Sequence, residues 1–237
     1  MSLGTLILIP NAFVDTQPLE DIIPCEYLKK VVQGVDMWAL ESRKSGFRMI
    51  AKLKDPHLKT LPFVELNKHT KEEDLKELKA ALLGGKTVGL ISDAGLPCLA
   101  DPGANLTLFC HLNKIKIKHV VGPSSIPIAV MLSGLNGQRF SFDGYLPKNE
   151  NEKKARILEL MARSEKEKMT MAFIEAPYRN KQLFELLNQL LPKKAYLCVA
   201  LDLTLDTEAV YTAHPGQFKF DPETLNDRPA IFLFGMG

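Results

Sequence analysis

The stretch ISDAGLPCLADPG, residues 91–103, decides how this 237-residue chain folds. It starts at the end of the apolar run Thr87–Ser92, which has the composition of a buried strand. The acidic loop that follows is rich in glycine and proline, and it places Asp93 where that strand ends. Ligands of open α/β sheets bind at this carboxyl edge, so the loop is a candidate ligand site. Two helix-entry turns capped by Asp93 and Asp101 are an equally simple interpretation.

Strand-like and helix-like segments alternate on both sides of this loop, as in α/β proteins. The run Thr5–Ile9 predicts the first strand, and a capping box from Thr70 to Glu73 predicts the start of a helix that stops at Gly84. Further strands are predicted at 35–40, 62–66, 118–121, 140–146, 169–175, 196–202, 208–213 and 230–234. Further helices are predicted after residue 124 and at 150–164 and 180–191. The change of pattern predicts two domains, residues 1–122 and 123–237.

Composition excludes several classes of protein. With 46% hydrophobic and 24% charged residues, the chain has the composition of an ordinary globular protein. Its four cysteines form no CxxC pair, so we expect no metal site and a reduced, cytoplasmic protein. No apolar run approaches the ~20 residues of a membrane span. The net charge of +2 gives no electrostatic indication of nucleic-acid binding.

Two more loops carry candidate binding groups. In GPSSIP, residues 122–127, the amides around Ser124 and Ser125 suit an anion, although a simple helix cap is the more economical interpretation. In FIEAPYR, residues 173–179, Glu175 and Arg179 follow a strand and emerge together, or form a local ion pair. The sequence contains no GxGxxG, P-loop or GxSxG motif, and its histidines are scattered.

In their order along the chain, these motifs resemble the tetrapyrrole (corrin/porphyrin) methylase superfamily. The matching stretches are SDAGLPCLADPG (92–103), VVGPSSIPIAVMLSGL (120–135), FSFDGYLPK (140–148) and AFIEAPYRN (172–180). Within the superfamily, the chain is most similar to the branch that 2′-O-methylates a cytidine of small-subunit ribosomal RNA. The resemblance implies an α/β fold of two domains with S-adenosylmethionine in a cleft between them. The N-terminal domain would carry the acceptor side and the C-terminal domain the cofactor side, in a homodimer.

The resemblance also implies functional residues. Those implied to bind the cofactor are Ile9, Pro10, Ser92, Asp93, Ala94, Leu96, Ser124, Ser125, Ile126, Phe173, Ile174, Pro229 and Ala230. Glu41 and Arg43 stand where the RNA branch carries an acidic-Thr-Arg motif. Together with Glu175 they are the candidate catalytic groups facing the acceptor. Solvated loop charges are an equally simple interpretation of each of them.

The chain departs from the family pattern at three places. Residues 11–15 read NAFVD in place of Gly-Asn-Leu-x-Asp, and Leu40 replaces the first acidic residue before Arg43. Leu201 and Leu205 stand where the RNA branch has basic residues, which are the side chains that bind phosphates. The cofactor site is therefore better preserved than the acceptor site.

We predict an S-adenosylmethionine-dependent methyltransferase of ribosomal RNA or the small ribosomal subunit, with no metal. Two alternatives stay open. One is a methyltransferase whose acceptor is a small molecule such as a tetrapyrrole, or a protein side chain. The other is a cofactor-binding protein without catalysis. Basic side chains along residues 148–168 would favour RNA if they line the mouth of the cleft beside Lys148 and Arg179, and a smaller acceptor if they point away from it.

Overall fold

The computed structural model describes residues 2–236, except the side chain of Glu72, and divides the chain between Ser124 and Ser125 into two compact units. The expected boundary lies two residues earlier, between residues 122 and 123. Each unit contains one five-stranded sheet. The α/β fold expected from the sequence is confirmed.

The first unit is built on a parallel sheet with the strand order β3-β2-β4-β1-β5. Its strands are β1 (Thr5–Ile9), β2 (Met37–Leu40), β3 (Phe63–Glu65), β4 (Thr87–Ile91) and β5 (Lys116–His119). Strand β5 begins two residues earlier than predicted. The residues of β5 that pair with β1 include Lys116 and Lys118, and the strand is mostly exposed at the edge of the sheet. Because these lysines interrupt the run of apolar residues, hydrophobicity alone does not mark the start of the strand.

Helices cover both faces of this sheet. They are α1 (Cys25–Val32), α2 (Arg43–Lys52), α3 (Glu72–Leu83) and α4 (Ala104–Leu112). Leu28 of α1 and Ile50 of α2 belong to one hydrophobic core, while Leu82 of α3 and Leu106 of α4 belong to another. Strands buried on both faces explain why β4 is a continuous apolar run without polar alternation.

The predicted capping box is wrong. Helix α3 begins at Glu72 with Lys71 at its N-cap, and no side chain caps it. The Thr70 hydroxyl is already used in the preceding loop, where it donates to Glu65 O (2.9 Å) and accepts from Asn67 N (2.6 Å). Helix α4 has Gly103 at its N-cap, so Asp101 caps nothing either.

The second unit has a mixed sheet with the order β6-β7-β10-β8-β9, in which only the β6–β7 pair is parallel. Its strands are β6 (Phe140–Tyr145), β7 (Thr170–Ile174), β8 (Tyr196–Leu201), β9 (Ala209–Ala213) and β10 (Ala230–Gly235). Its helices are α5 (Ser125–Ser133), α6 (Glu150–Glu167) and α7 (Asn180–Leu190). Phe173 stacks on Phe232 in the core that α6 and α7 cover. Among residues 2–236, no helix has the length and hydropathy to cross a membrane.

Candidate active site

The parallel sheet has a switch point between β1 and β4. The chain leaves β1 toward β2 on one side and leaves β4 toward β5 on the other. Just beyond the two strands, Asn11 N–H donates to Gly95 O (2.9 Å) and Gly95 N–H donates to Asn11 O (3.0 Å). Gly95 has φ +67°, and a Cβ there would lie 3.1 Å from the Phe13 ring, so the position favours glycine. The β4 loop is thereby fixed at the edge where ligands of such sheets bind.

The side chain of Asn11 holds this loop from inside. It is 5% exposed, and its Nδ2 lies within hydrogen-bond distance of Ser92 O (3.1 Å), Asp93 O (3.2 Å) and Ser45 Oγ (3.2 Å). Asn11 thus joins the ends of β1 and β4 to the start of α2. In the sequence, Asn11 stands out only as part of an altered family loop. Its three acceptors come from distant parts of the chain, and no local pattern marks them.

Glu41 and Asp93 meet at this edge. The Asp93 N–H donates to Glu41 Oε2 (2.9 Å), and the Ser42 hydroxyl donates to Asp93 Oδ1 (2.7 Å). Ser42 also caps α2 by accepting from Ser45 N (3.3 Å). Asp93 is exposed and Glu41 is half-buried. Two residues predicted for different roles, one for the cofactor and one for the acceptor, therefore share one cluster.

Arg43 does not join that cluster. Its guanidinium lies over the Phe63 ring, 5.5 Å from the centroid, and its side chain is exposed. Its backbone N–H donates to Glu65 Oε1 (3.3 Å). The catalytic role predicted for Arg43 stays a prediction, and its position beside Phe63 gives that role no added support.

Asp101 is a third carboxylate near this edge. The sequence pattern indicates only a helix-capping role for it. Burial raises the pKa of Asp101 to about 7, with further contributions from the negative charges of Glu41 and Asp93. Burial also raises the pKa of Glu41, which the Asp93 N–H partly offsets. Asp101 and Glu41 therefore hold a proton more readily than a carboxyl group in water does. Raised pKa values of this kind are typical of functional sites.

The other residues predicted at the end of the first sheet lie around this cluster. Ile9 and Pro10 are buried at the end of β1, and Ser92 is buried after β4. The Ser92 hydroxyl turns back onto its own loop, toward Ala94 O (3.2 Å) and Gly95 O (3.3 Å). Leu96 is half-buried and Ala94 exposed. Ser124 is buried where the first unit ends.

In the second unit, predicted cofactor residues lie where β7 ends and β10 begins. Ile174 pairs with Ile231, so it lies next to Ala230 and the exposed Pro229. The Phe173 side chain is fully buried, which leaves only backbone groups at that position for a ligand. Ser125 is the first residue of α5, and the Ile126 side chain beside it is buried. The assignment of these residues to the cofactor stays a prediction.

Glu175 is enclosed in a network of charges. Its side chain is 0% exposed, and its Oε1 accepts hydrogen bonds from Ala176 N (2.8 Å) and Arg179 Nη2, while its Oε2 forms an ion pair with Lys153 Nζ of α6 (3.1 Å). Lys153 is itself only 2% exposed. The ion pair of Glu175 and Arg179, left open as an alternative in the sequence analysis, is present. The role predicted for Glu175 at the acceptor stays a prediction, but its burial favours a positioning role.

Other basic residues of α6 are also paired. Arg156 makes two bonds to Asp143 (2.6 and 2.8 Å) and one to Glu159 (2.8 Å), and Arg163 bonds to Glu167 (3.2 Å). The hydrogen bonds that Arg156 donates to Asp143 and Glu159 raise the pKa of Arg156 above its ordinary range. With Lys153 buried, these cations are compensated within the protein. Among the described residues, no group of acidic, histidine or cysteine side chains has the arrangement of a metal site.

An open α/β sheet with acidic loops at its switch point defines the first unit as a ligand-binding α/β domain. The chain belongs to the family of Tetrapyrrole (Corrin/Porphyrin) Methylases, which it matches over residues 26–218. The superfamily assignment made from the sequence is thereby confirmed.

Two relatives carry the name ribosomal RNA small subunit methyltransferase I. The one from Thermotoga maritima is 36% identical over 118 residues, which are 50% of this chain and 51% of that protein. The one from Vibrio cholerae is 29% identical over 180 residues, 76% of this chain and 60% of that protein. The chain thus spans about half to three fifths of the length of these relatives. The crystal structure of the methyltransferase CobJ shares the fold, with a TM-score of 0.63 and 12% identity over 100% of this chain and 95% of that one.

Proposed function

We propose that this protein is an S-adenosylmethionine-dependent methyltransferase whose acceptor is a ribose hydroxyl of small-subunit ribosomal RNA. Membership of the methylase family supports methyl transfer, and the names of the relatives support small-subunit ribosomal RNA as the substrate. The observation that carries the proposal is the carboxylate cluster of Glu41, Asp93 and Asp101, which Asn11 and Ser42 help to fix at the sheet edge.

The chemistry of this cluster fits the proposed methyl donor. When bound, S-adenosylmethionine supplies an electrophilic methyl group on a positively charged sulfur. Carboxylates are the side chains that stabilise such positive charge, and Asp93 is exposed enough to meet a ligand ammonium group. Ser92 and Gly95 are buried, so within residues 92–95 only Asp93 and Ala94 are exposed to a ligand. Asp93 would therefore bind and orient the donor, while Ser42 keeps the Asp93 carboxylate in place.

The remaining cofactor residues keep their assignments in the proposal. In the first unit these are Ile9, Pro10, Ser92, Ala94, Leu96 and Ser124. In the second they are Ser125, Ile126, Phe173, Ile174, Pro229 and Ala230. The proposal also keeps Glu41, Arg43 and Glu175 as acceptor-side residues, with Glu175 acting through Lys153 and Arg179.

One observation favours a smaller acceptor as the second candidate. Leu201, at a position where the RNA branch carries a basic residue, is 0% exposed in the core of the second unit. The paired cations of α6 also favour a smaller acceptor, because phosphates bind best to unpaired Lys and Arg. The same cofactor site would then serve a small molecule such as a tetrapyrrole, or a protein side chain.

Two assays together test the function. Calorimetric titration with S-adenosylmethionine and S-adenosylhomocysteine measures the cofactor site alone. Incubation of small ribosomal subunits with methyl-labelled donor then measures transfer, and we expect alkali-resistant label at a cytidine ribose. Binding of both ligands without label in RNA would favour the smaller acceptor. Absence of binding at millimolar ligand would remove the methyltransferase proposal.

Replacing Asp93 by alanine is the variant that tests the cofactor cluster. We expect the affinity for S-adenosylmethionine to fall about tenfold, which corresponds to about 1.4 kcal/mol. Asp74→Ala, which removes an exposed carboxylate from α3, is the matched control and should bind normally. Unchanged affinity in Asp93→Ala would remove Asp93 from the cofactor site.

The proposal includes a homodimer in the cytoplasm, as expected from the resemblance. Light scattering at micromolar concentration measures the mass directly. A monomer at that concentration would contradict the dimer without affecting the cofactor assignment.

A further inference from the structure

A cavity of about 440 Å³ opens beside the carboxylate cluster of the first unit. One wall comes from the loop between β3 and α3, including Asn67, Lys68 and Lys71. The other wall is the segment from Asp101 to Leu106, which leads into α4. Its volume is within the range of about 300–1,000 Å³ that small-molecule sites occupy, and one nucleotide unit is a ligand of that size. None of its lining residues was assigned to the cofactor.

Asp101 is the carboxylate in this cavity, and its oxygens are available. Glu41 accepts from Asp93 N–H, and Asp93 accepts from the Ser42 hydroxyl. Asp101, in contrast, has neither a hydrogen bond nor an ion pair to any residue in the described part of the chain, although it is more than half buried. A half-buried carboxylate that its own protein leaves unbonded is in position to bond to a ligand.

The charges around Asp101 set its proton affinity. Negative groups face it from two loops, Glu41 after β2 and Asp93 after β4, and Lys68 and Lys71 line the cavity from the β3–α3 loop. Burial and the two carboxylates raise the pKa of Asp101 to about 7. A general base acts best when its pKa lies near the working pH, because it is then both ionised and basic.

We propose that this cavity receives the acceptor nucleotide and that Asp101 is the general base that takes the proton from the hydroxyl being methylated. The inference rests on the proposed function. The hydroxyl oxygen forms a bond to the methyl carbon, and the carbon–sulfur bond breaks with its electron pair going to sulfur. The hydroxyl proton passes to the Asp101 carboxylate, which later releases it to water. Lys68 and Lys71 lie where they attract the phosphate of the same nucleotide.

The test compares the wild type with Asp101→Asn, which keeps the shape and removes the base. Single-turnover transfer to small ribosomal subunits is measured at saturating methyl donor between about pH 6 and 9, and donor affinity is measured by calorimetry. The wild-type rate should rise with pH through an apparent pKa near 7. Asp101→Asn should lose on the order of 100-fold in rate and lose that rise, with donor affinity changed less than about threefold.

Asp74→Asn is the matched control, since it removes an equal charge from an exposed position on α3 and should behave as the wild type. A transfer rate of Asp101→Asn within about threefold of the wild-type rate would overturn the assignment. So would a loss of rate that disappears when the concentration of methyl donor is raised to saturation. A wild type that binds donor but methylates no ribosomal RNA overturns both the proposed function and this role. If the wild type methylates ribosomal RNA and only Asp101→Asn loses transfer, the result supports both the proposed function and Asp101 as the general base.

Discussion

Asn11 shows how much of the site depends on one buried amide. Its Nδ2 donates to Ser92 O and to Asp93 O, and both acceptors lie in the loop that carries the carboxylate proposed to bind the methyl donor. Asp93 O also accepts from Ser45 Oγ (3.0 Å), whereas Ser92 O is buried with Asn11. A buried carbonyl that loses its donor keeps the full cost of its desolvation. The loop position is therefore more sensitive to Asn11 than to any of its exposed residues.

We expect Asn11→Ala to lower the free energy of unfolding by about 1–3 kcal/mol and to weaken binding of S-adenosylmethionine at least as much as Asp93→Ala does. Urea unfolding and calorimetry measure the two effects. Asn113→Ala, which removes a half-buried amide bonded to Phe109 O at the end of α4, is the control and should affect stability alone. Normal donor affinity in Asn11→Ala would mean that the loop keeps its position without the amide.

Asp101 should make the folded protein less stable at alkaline pH. Its folded pKa of about 7 exceeds its ordinary value of 3.8, so the folded state binds this proton more tightly than the unfolded chain does. The stability that this proton contributes is therefore lost as the pH rises from the ordinary pKa of 3.8 to the folded pKa of about 7, and it stays lost above that pH. Asp101→Asn carries no such charge, so we expect it to be more stable than the wild type, with a larger gain at about pH 8 than at about pH 5.5.

Chemical unfolding at the two pH values measures that difference. Asp74→Asn removes an exposed carboxylate from α3, and we expect its change in stability to be equal at the two pH values. A gain in Asp101→Asn that does not grow with pH would contradict the raised pKa.

At the scale of elements, the ion network of Lys153, Glu175 and Arg179 links α6 to the end of β7. All three charges lie in the second unit, and two of the side chains are almost fully buried. Removing one partner of a buried ion pair leaves an uncompensated charge, which costs far more than losing the attraction itself. The network thus fixes the loop after Ile174, where backbone groups are proposed to meet the cofactor.

We expect Glu175→Gln to lower the free energy of unfolding by about 3–5 kcal/mol. Arg163→Met breaks the exposed pair with Glu167 on the same helix and should cost less than about 1 kcal/mol. Adding Lys153→Met to Glu175→Gln should recover part of the loss, because the uncompensated ammonium is then gone. Equal effects of Glu175→Gln and Arg163→Met in urea unfolding would contradict a buried network.

The elements that the sequence predicted well are those with one dominant pattern. Strand β4 and helix α7 have continuous apolarity and a clear helical stripe, and both lie within a residue of their predicted bounds. No bounds were predicted for α2 or α4. Gly46 interrupts the pattern of α2 because it packs against Leu40, and α4 is apolar nearly all round. The positions of Asp101 in the carboxylate cluster and of Lys153 in the ion network could not be predicted for a related reason, since both depend on neighbours that folding brings together.

At the scale of the whole molecule, the distribution of charge decides how it meets RNA. The net charge is only +2, and the α6 cations named above are paired with carboxylates. Each phosphate that Lys or Arg neutralises adds about 0.7–0.9 to the slope of log affinity against log salt. The lysines proposed to meet phosphate are Lys68 and Lys71, so we expect a shallow slope of about −1.4 to −1.8 for binding to ribosomal RNA.

Filter binding between about 50 and 200 mM salt measures this slope. The double variant Lys68→Ala/Lys71→Ala should lose most of it, while Lys154→Ala/Lys166→Ala on α6 should leave it almost unchanged. A slope steeper than about −5 would reveal a basic surface that the structure gives no reason to expect.

The strand order of the first sheet has a consequence for the history of the protein. The chain leaves β1 toward β2 and leaves β4 toward β5, so the loops after these two neighbouring strands meet at one edge although they are far apart in the sequence. Asn11 joins these loops to each other and to the start of α2, so a substitution in one loop alters the support of the others. We therefore expect the loops of this edge to change together, and not one at a time, as the protein evolves.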